Sequence, residues 1–246
     1  MNTKLLSEKA LSVIDQYLNF RVGSAVLSIP YFNNRHSQAR MKLRVQVGKG
    51  SPKDILDELH DIAVAEKINL NSLDSSGLKK FLVDHNIGID CSGLAYYILN
   101  AESESRGKGT LDRHLSFAVC HGILGKMMCK MRPAENAGVT TFAHEKNSHE
   151  MSIKDALPGD IITMVGDHNH ILIIHQIEYQ NFVPTALHYT HSMAWPEDGE
   201  YGHGIKQGII KITAIDKKIS EQKWNEGYTF ERAGKSLTTL RRMAFL

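Results

Sequence analysis

An α+β fold is what the sequence predicts, on three observations. Through about residue 131 the apolar residues recur mostly at helical spacing, and after Pro158 they recur at strand spacing. The strand-like runs also follow one another through short links, which favours antiparallel pairing over the long crossovers of a parallel sheet.

The elements follow in order. Ser7 ahead of Ala10, Leu11, Ile14 and Leu18 predicts a capped amphipathic helix. AVLSIPYFNN, halted by Pro30 and two asparagines, reads as extended chain entering a turn. Ser51-Pro52-Lys53-Asp54 supplies an N-cap, a proline at the first helical position and an acid three residues after the cap. Ile55, Leu56, Leu59, Ile62 and Ala63 then share one face. SGLKKFLVDH predicts a further helix, and Asn86-Ile87-Gly88 breaks the chain after it. Residues 111–131 predict another, with Leu115, Ala118, Val119, Gly122, Ile123 and Met127 spaced for burial. DIITMV, NHILIIHQIEY, TALHYTHS and GIIKITAI are β-rich runs separated by turn-forming stretches.

Composition narrows the function classes. Across 246 residues, 29 basic and 27 acidic side chains are interspersed, so a nucleic-acid footprint is not expected. The closing RAGKSLTTLRRMAFL is locally basic and reads as a solvated edge. Lys4, Glu8, Lys9 and Asp15 interrupt any signal-like apolar segment, and no window approaches the roughly twenty apolar residues of a membrane span. The expectation is a soluble, cytoplasmic chain without a membrane partner. Three cysteines without framework spacing argue against a disulfide scaffold and for at least one unpaired thiol.

Cys91 is the candidate nucleophile. In GIDCSGLAYYIL, Leu94, Ala95, Ile98 and Leu99 lie at helical spacing, so the cysteine stands at the opening turn of a helix. The first amides of a helix have no internal partners and carry partial positive charge, which favours a thiolate and can hold an oxyanion. Asp90 suits a capping role, and Gly93 lets a substrate approach the backbone. The bland alternative is a small buried hydrophobe, as free cysteines often are.

A thiolate needs a base, and six histidines fall in the strand region: His168, His170, His175, His188, His191 and His203. Alternation puts His170 with Leu172 and Ile174, and His175 on the other side as a core histidine. If the hairpin turns about Asn181 and Phe182, residues whose numbers sum to 363 face one another. His191 then joins the His170 face and His188 lies opposite His175; a one-residue slip would exchange the roles of His191 and His188.

With these residues assembled, the sequence resembles the NlpC-type branch of the papain-like cysteine peptidases, a family of bacterial cell-wall peptide hydrolases and amidases. The resemblance rests on Asp90-Cys91-Ser92-Gly93-Leu94 opening a helix, Leu157-Pro158-Gly159-Asp160-Ile161-Ile162 leading into a strand, and His170-Ile171-Leu172-Ile173-Ile174 on the next. Thr190-His191-Ser192 is similar to the family's third polar position, and Ile29-Pro30-Tyr31 to the segment that brings a tyrosine to the site. It implies a single papain-like domain over residues 1–246, with helical insertions at about 32–87 and 101–156. It further implies attack by Cys91 on an amide or ester carbonyl, proton transfer by His170, orientation by His191, and substrate contacts from Tyr31, Asp90, Ser92 and Trp195. A small peptide or amide substrate is implied, with no cofactor and no metal. The insertions separate this chain from compact members, so the usual wall peptide does not carry over directly, and recycling of imported wall peptides suits a cytoplasmic enzyme.

Two other classes stay open. The same acyl-enzyme can serve an acyltransferase, or the fold can be an inactive binding module. His168-x-His170 on one strand face also permits a metal-binding protein. Cys120 and Cys129, nine residues apart and so about 180° around a helix, read as separate buried thiols. Met127, Met128 and Met131 read as core filling, and Trp195-Pro196-Glu197-Asp198 as a surface turn whose tryptophan lines a groove.

Overall fold

The computed structural model describes residues 2–32, 44–118, Cys120 and 122–246. The asparagines at 33–34 and Val119 lie outside them. The chain is α+β, with an antiparallel sheet whose strands follow a mainly helical first half.

In chain order the elements are β1 (Asn2–Leu5), α1 (Glu8–Leu18), β2 (Phe20–Val22), β3 (Ala25–Leu27), α2 (Pro52–Glu66), α3 (Ser75–Asp84) and α4 (Cys91–Ser105). Then come α5 (Gly122–Met131), α6 (Pro133–Asn136), α7 (Val139–Ala143), β4 (Ser148–Glu150), β5 (Ile161–Val165), β6 (His170–Gln180) and β7 (Val183–Met193). The chain closes with α8 (Gly199–Gly202), β8 (Gly204–Lys211), β9 (Lys223–Trp224), α9 (Gly227–Lys235) and β10 (Leu237–Met243). The helix starts are set locally as the caps predict: Ser7 accepts from the Ala10 amide, and Ser51 and Asp54 form a reciprocal capping box ahead of Pro52.

The sheet runs β4-β10-β5-β6-β7-β8-β9, and β1 shares an edge of β6 with β5. Asn181 and Phe182 both take positive φ, the geometry of a tight two-residue hairpin turn between β6 and β7. The predicted register holds beside that turn and again at Ile173↔Thr190 and Ile174↔Tyr189. Between these stretches two compensating bulges, one on each strand, offset the pairing by one residue, so His188 faces Gln176 and not His175.

Side chains alternate between two buried clusters. Ile161, Ile171, Ile173 and Ile205 pack with α1 to α4, and Cys91 belongs to this cluster. Ile162, Met164, Leu172, Ile174, Leu187 and Tyr189 pack on the other side with Trp224 and Ala233. Two ties orient α4 along β6. At its start, Ser192 Oγ on β7 donates to Ile89 O; near its end, Glu102 accepts from the Ser7 amide while the neighbouring Leu6 amide donates to His175 O. Cys91 therefore sits at the His170 end of the sheet.

Several expectations are corrected. The segment 111–131 is not one helix: a short turn at Leu111–Arg113 is followed by irregular chain, and α5 starts at Gly122 with φ +68°. Leu115 is buried, but Ile123, Leu124, Met127, Met128 and Met131 are exposed, so these side chains do not fill the core. Cys120 precedes that helix, so the opposed-face geometry does not apply, and Cys120 and Cys129 form a disulfide. The basic C-terminus is not a solvated edge. It forms β10 inside the sheet, where Arg242 grips the fully buried Asp160 at 2.8 Å from each carboxylate oxygen and Arg241 bonds Ser148.

Candidate active site

The turn at Cys91 is built from both sides. Asp90 caps α4 by accepting from the Gly93 amide at 2.6 Å, and its own amide donates to Gly48 O. Ile89 forms bridges to Tyr31 and Lys49. Cys91 is the first residue of the helix, is outside the disulfide, and is 6% exposed. Gly93 serves a different purpose from substrate approach: a Cβ there would lie 2.7 Å from Gly48 O, so its missing side chain makes room for the incoming chain at 48–49. Ser92 directs its hydroxyl to Asp90 and receives Lys49, within the turn.

On the sheet, the His170 and His191 rings lie on one face, as the register predicts. His170 Nε2 and His191 Nδ1 are 2.8 Å apart, and the ring planes meet edge to face. Beyond them His191 Nε2 lies 3.1 Å from Glu226 Oε2, close enough for an ion pair but approached too obliquely for an aligned hydrogen bond. Tyr189 and Thr229 hydroxyls also donate to that oxygen. With both imidazoles neutral, one proton arrangement fits this order of partners. His191 directs Nε2–H toward the carboxylate and accepts on Nδ1 from His170 Nε2–H, which leaves the His170 Nδ1 lone pair open. That Nδ1 is buried and has no hydrogen-bond partner among the described residues.

Burial, followed by the neighbouring His191 and Arg232, holds the His170 imidazole well below the ordinary histidine range, so it is neutral at neutral pH. For Glu226, burial pushes the carboxyl up, yet His191, Tyr189 and Thr229 outweigh it and the net shift is downward. A neutral base backed by an ionised carboxylate is the result.

Strand parity constrains how this pair meets the thiol. His170 belongs with Leu172 and Ile174, which pack in the second cluster, whereas Cys91 packs in the first. The imidazole pair and the thiol thus belong to opposite faces of the sheet, near the same end of β6.

The remaining residues take distinct places. Tyr31 pairs with Ile89 immediately before the cysteine turn, and its amide donates to His203 Nδ1. Trp195 is buried at 8% exposure, stacked on Tyr228 under Arg232, so it is not a surface side chain. His175 bonds Thr190 as a satisfied core histidine, and His188 pairs with Glu178, away from His170. His168 is exposed. Among the described residues no group of three or more His, Cys, Asp or Glu side chains is disposed to hold a metal, and no helix is long and apolar enough to cross a membrane.

Glu226 and Lys49 were not legible as site residues. Each is an ordinary charge in a polar stretch, and only tertiary placement singles it out. Comparison with protein-family models, with curated proteins and with solved structures finds no match to the chain.

Proposed function

We propose that the protein is a cysteine hydrolase of the papain-like, NlpC-type class, acting on an amide bond in a small peptide through an acyl-enzyme. The observation that carries this reading is the buried Nδ1 of His170, which has no hydrogen-bond partner among the described residues. It is backed in series by His191 and Glu226, at the end of the sheet where α4 begins with Cys91.

In this reading the Cys91 proton passes to His170 Nδ1 and the thiolate sulfur attacks the substrate carbonyl carbon. The carbonyl electron pair moves onto oxygen, where the partial positive charge at the N-terminal end of α4 stabilises it. Collapse breaks the C–N bond, and His170 returns the proton to the departing amine. His170 then takes a proton from water as the water oxygen attacks the thioester. The C–S bond breaks, the acid leaves, and the thiol is restored. Glu226 and His191 keep His170 in the tautomer that presents Nδ1 and stabilise its transient positive charge.

The test is intact-mass spectrometry after exposure to p-nitrophenyl acetate, with the Cys91→Ala and His170→Ala variants beside the wild type. One acetyl group on the wild type, absent from Cys91→Ala and formed far more slowly in His170→Ala, is expected. Its discharge by water alone marks a hydrolase, and discharge requiring an added amine corrects the reading to acyl transfer. Acetylation undiminished in His170→Ala would remove the imidazole from its role.

A further inference from the structure

We infer that Lys49 is a positioning residue for the nucleophile: its ammonium cancels the buried Asp90 carboxylate, so that the adjoining Cys91 thiol can ionise. The inference rests on Cys91 being the nucleophile and adds a function for the insertion that precedes it.

The cap that holds the turn creates an electrostatic problem. Asp90 is buried and adjacent to Cys91, and a buried negative charge beside a thiol opposes thiolate formation. Lys49 supplies the opposite charge. Its Nζ lies 2.9 Å from Asp90 Oδ1, donates to Ser92 Oγ, and reaches Ala137 O at 3.2 Å, which uses all three ammonium donors. Both members of the pair are nearly closed off, with side chains 7% and 10% exposed, so water screens their interaction little.

The backbone holds Lys49 where this needs it. Lys49 is bridged to Ile89, its carbonyl accepts from Tyr97 OH, and Gly48 O accepts from the Asp90 amide. Lys49 comes from the segment ahead of the cysteine, and Ala137 from the segment after it. The two insertions thus meet on one ammonium beside the candidate nucleophile.

Other titratable groups on elements around the turn include Tyr31 with His203, Tyr17 donating to Gly50 O, Tyr96 and Tyr97 on α4 with Asp54, Glu135 with Arg44 and Arg132 at α6, and His170, His191 and Glu226 on the sheet side with Arg232 from α9. None changes in the variants below.

The experiment is the pH profile of Cys91 alkylation by iodoacetamide in the wild type, Lys49→Met, Asp90→Asn and the double variant. Asparagine keeps a cap acceptor for the Gly93 amide. Lys49→Met is expected to raise the midpoint by about one unit or more, roughly a tenfold slower reaction below it, because the carboxylate is left uncancelled. Asp90→Asn should lower the midpoint, and the double variant should return near the wild type.

A purely structural role would shift the variants in one direction or not at all, and either pattern overturns the inference. If Lys49→Met does not fold, the opposed positions of Asp90→Asn and the double variant still decide: a double variant no higher than Asp90→Asn refutes it. A wild-type midpoint at the ordinary thiol value of about 8.5 would count against the proposed nucleophile, while the ordering of the variants would still report on Lys49.

Discussion

Glu226→Gln isolates the contribution of the outermost member of the His170–His191–Glu226 series. Glutamine keeps the shape and still accepts from Tyr189 and Thr229, so the change is chiefly one of charge. The carboxylate is 3.1 Å from His191 Nε2, and the two ring centroids are 5.1 Å apart. A positive charge on His170 therefore lies on the order of 8 Å from Glu226, worth about 2 kcal/mol at an effective dielectric constant of about 20. If a thiolate–imidazolium pair is the reactive form, its population at neutral pH falls roughly 30-fold. Iodoacetamide alkylation under non-reducing conditions measures this cleanly, because Cys120 and Cys129 are joined and Cys91 is the thiol that remains. The variant should keep the wild-type circular dichroism spectrum. A folded Glu226→Gln protein alkylated within twofold of the wild-type rate would show that the carboxylate does not act through His191 on His170.

Two further outcomes follow from buried charge. Burial and then His188 push His175 down to about 4, so the unfolded chain takes up a proton there that the folded one refuses as pH falls below about 6.5. That group should cost about 3 kcal/mol of stability between pH 7 and pH 4, and urea unfolding of His175→Asn should show a correspondingly flatter pH dependence; a slope equal to the wild type refutes the assignment. Arg242→Met leaves the Asp160 carboxylate buried without its cation and should destabilise by about 3–5 kcal/mol, while Asp160→Asn added to it recovers part of the loss. Thermal unfolding reads both, and a melting temperature for Arg242→Met within a degree of the wild type would overturn the reasoning.

What the sequence made legible was local. Ser7, Ser51 and Asp90 announce helix starts through side-chain oxygens that meet amides three residues on, and those caps are present in the fold. The turn at Asn181 and Phe182 sets the β6–β7 register beside it, and because the two bulges beyond it cancel, His170 and His191 keep the shared face that register predicts. Parity shows from the sequence that Leu172 goes with His170, but not which side α4 covers. What stayed hidden depends on distant chain. The bulge near His175 has no glycine to mark it. Lys49 reaches Asp90 across 41 positions, and Glu226 reaches His191 from the approach to α9. The disulfide is hidden because the sequence reads as a continuous helix where the chain bends at Gly122, and β10 because two arginines look solvent-seeking until Asp160 and Ser148 receive them.

The position opposite Tyr189 on β8 is Gly208, and a methyl group there would come within 2.2 Å of the tyrosine ring and its hydroxyl. That ring leans over a bare patch of backbone to reach the acid at the far end of the proton path. A residue with no side chain, one strand removed from the histidines, thereby governs where the last anchor can stand. Redesign of this neighbouring strand would have to leave that gap unfilled, however tolerant its outer surface proved to be.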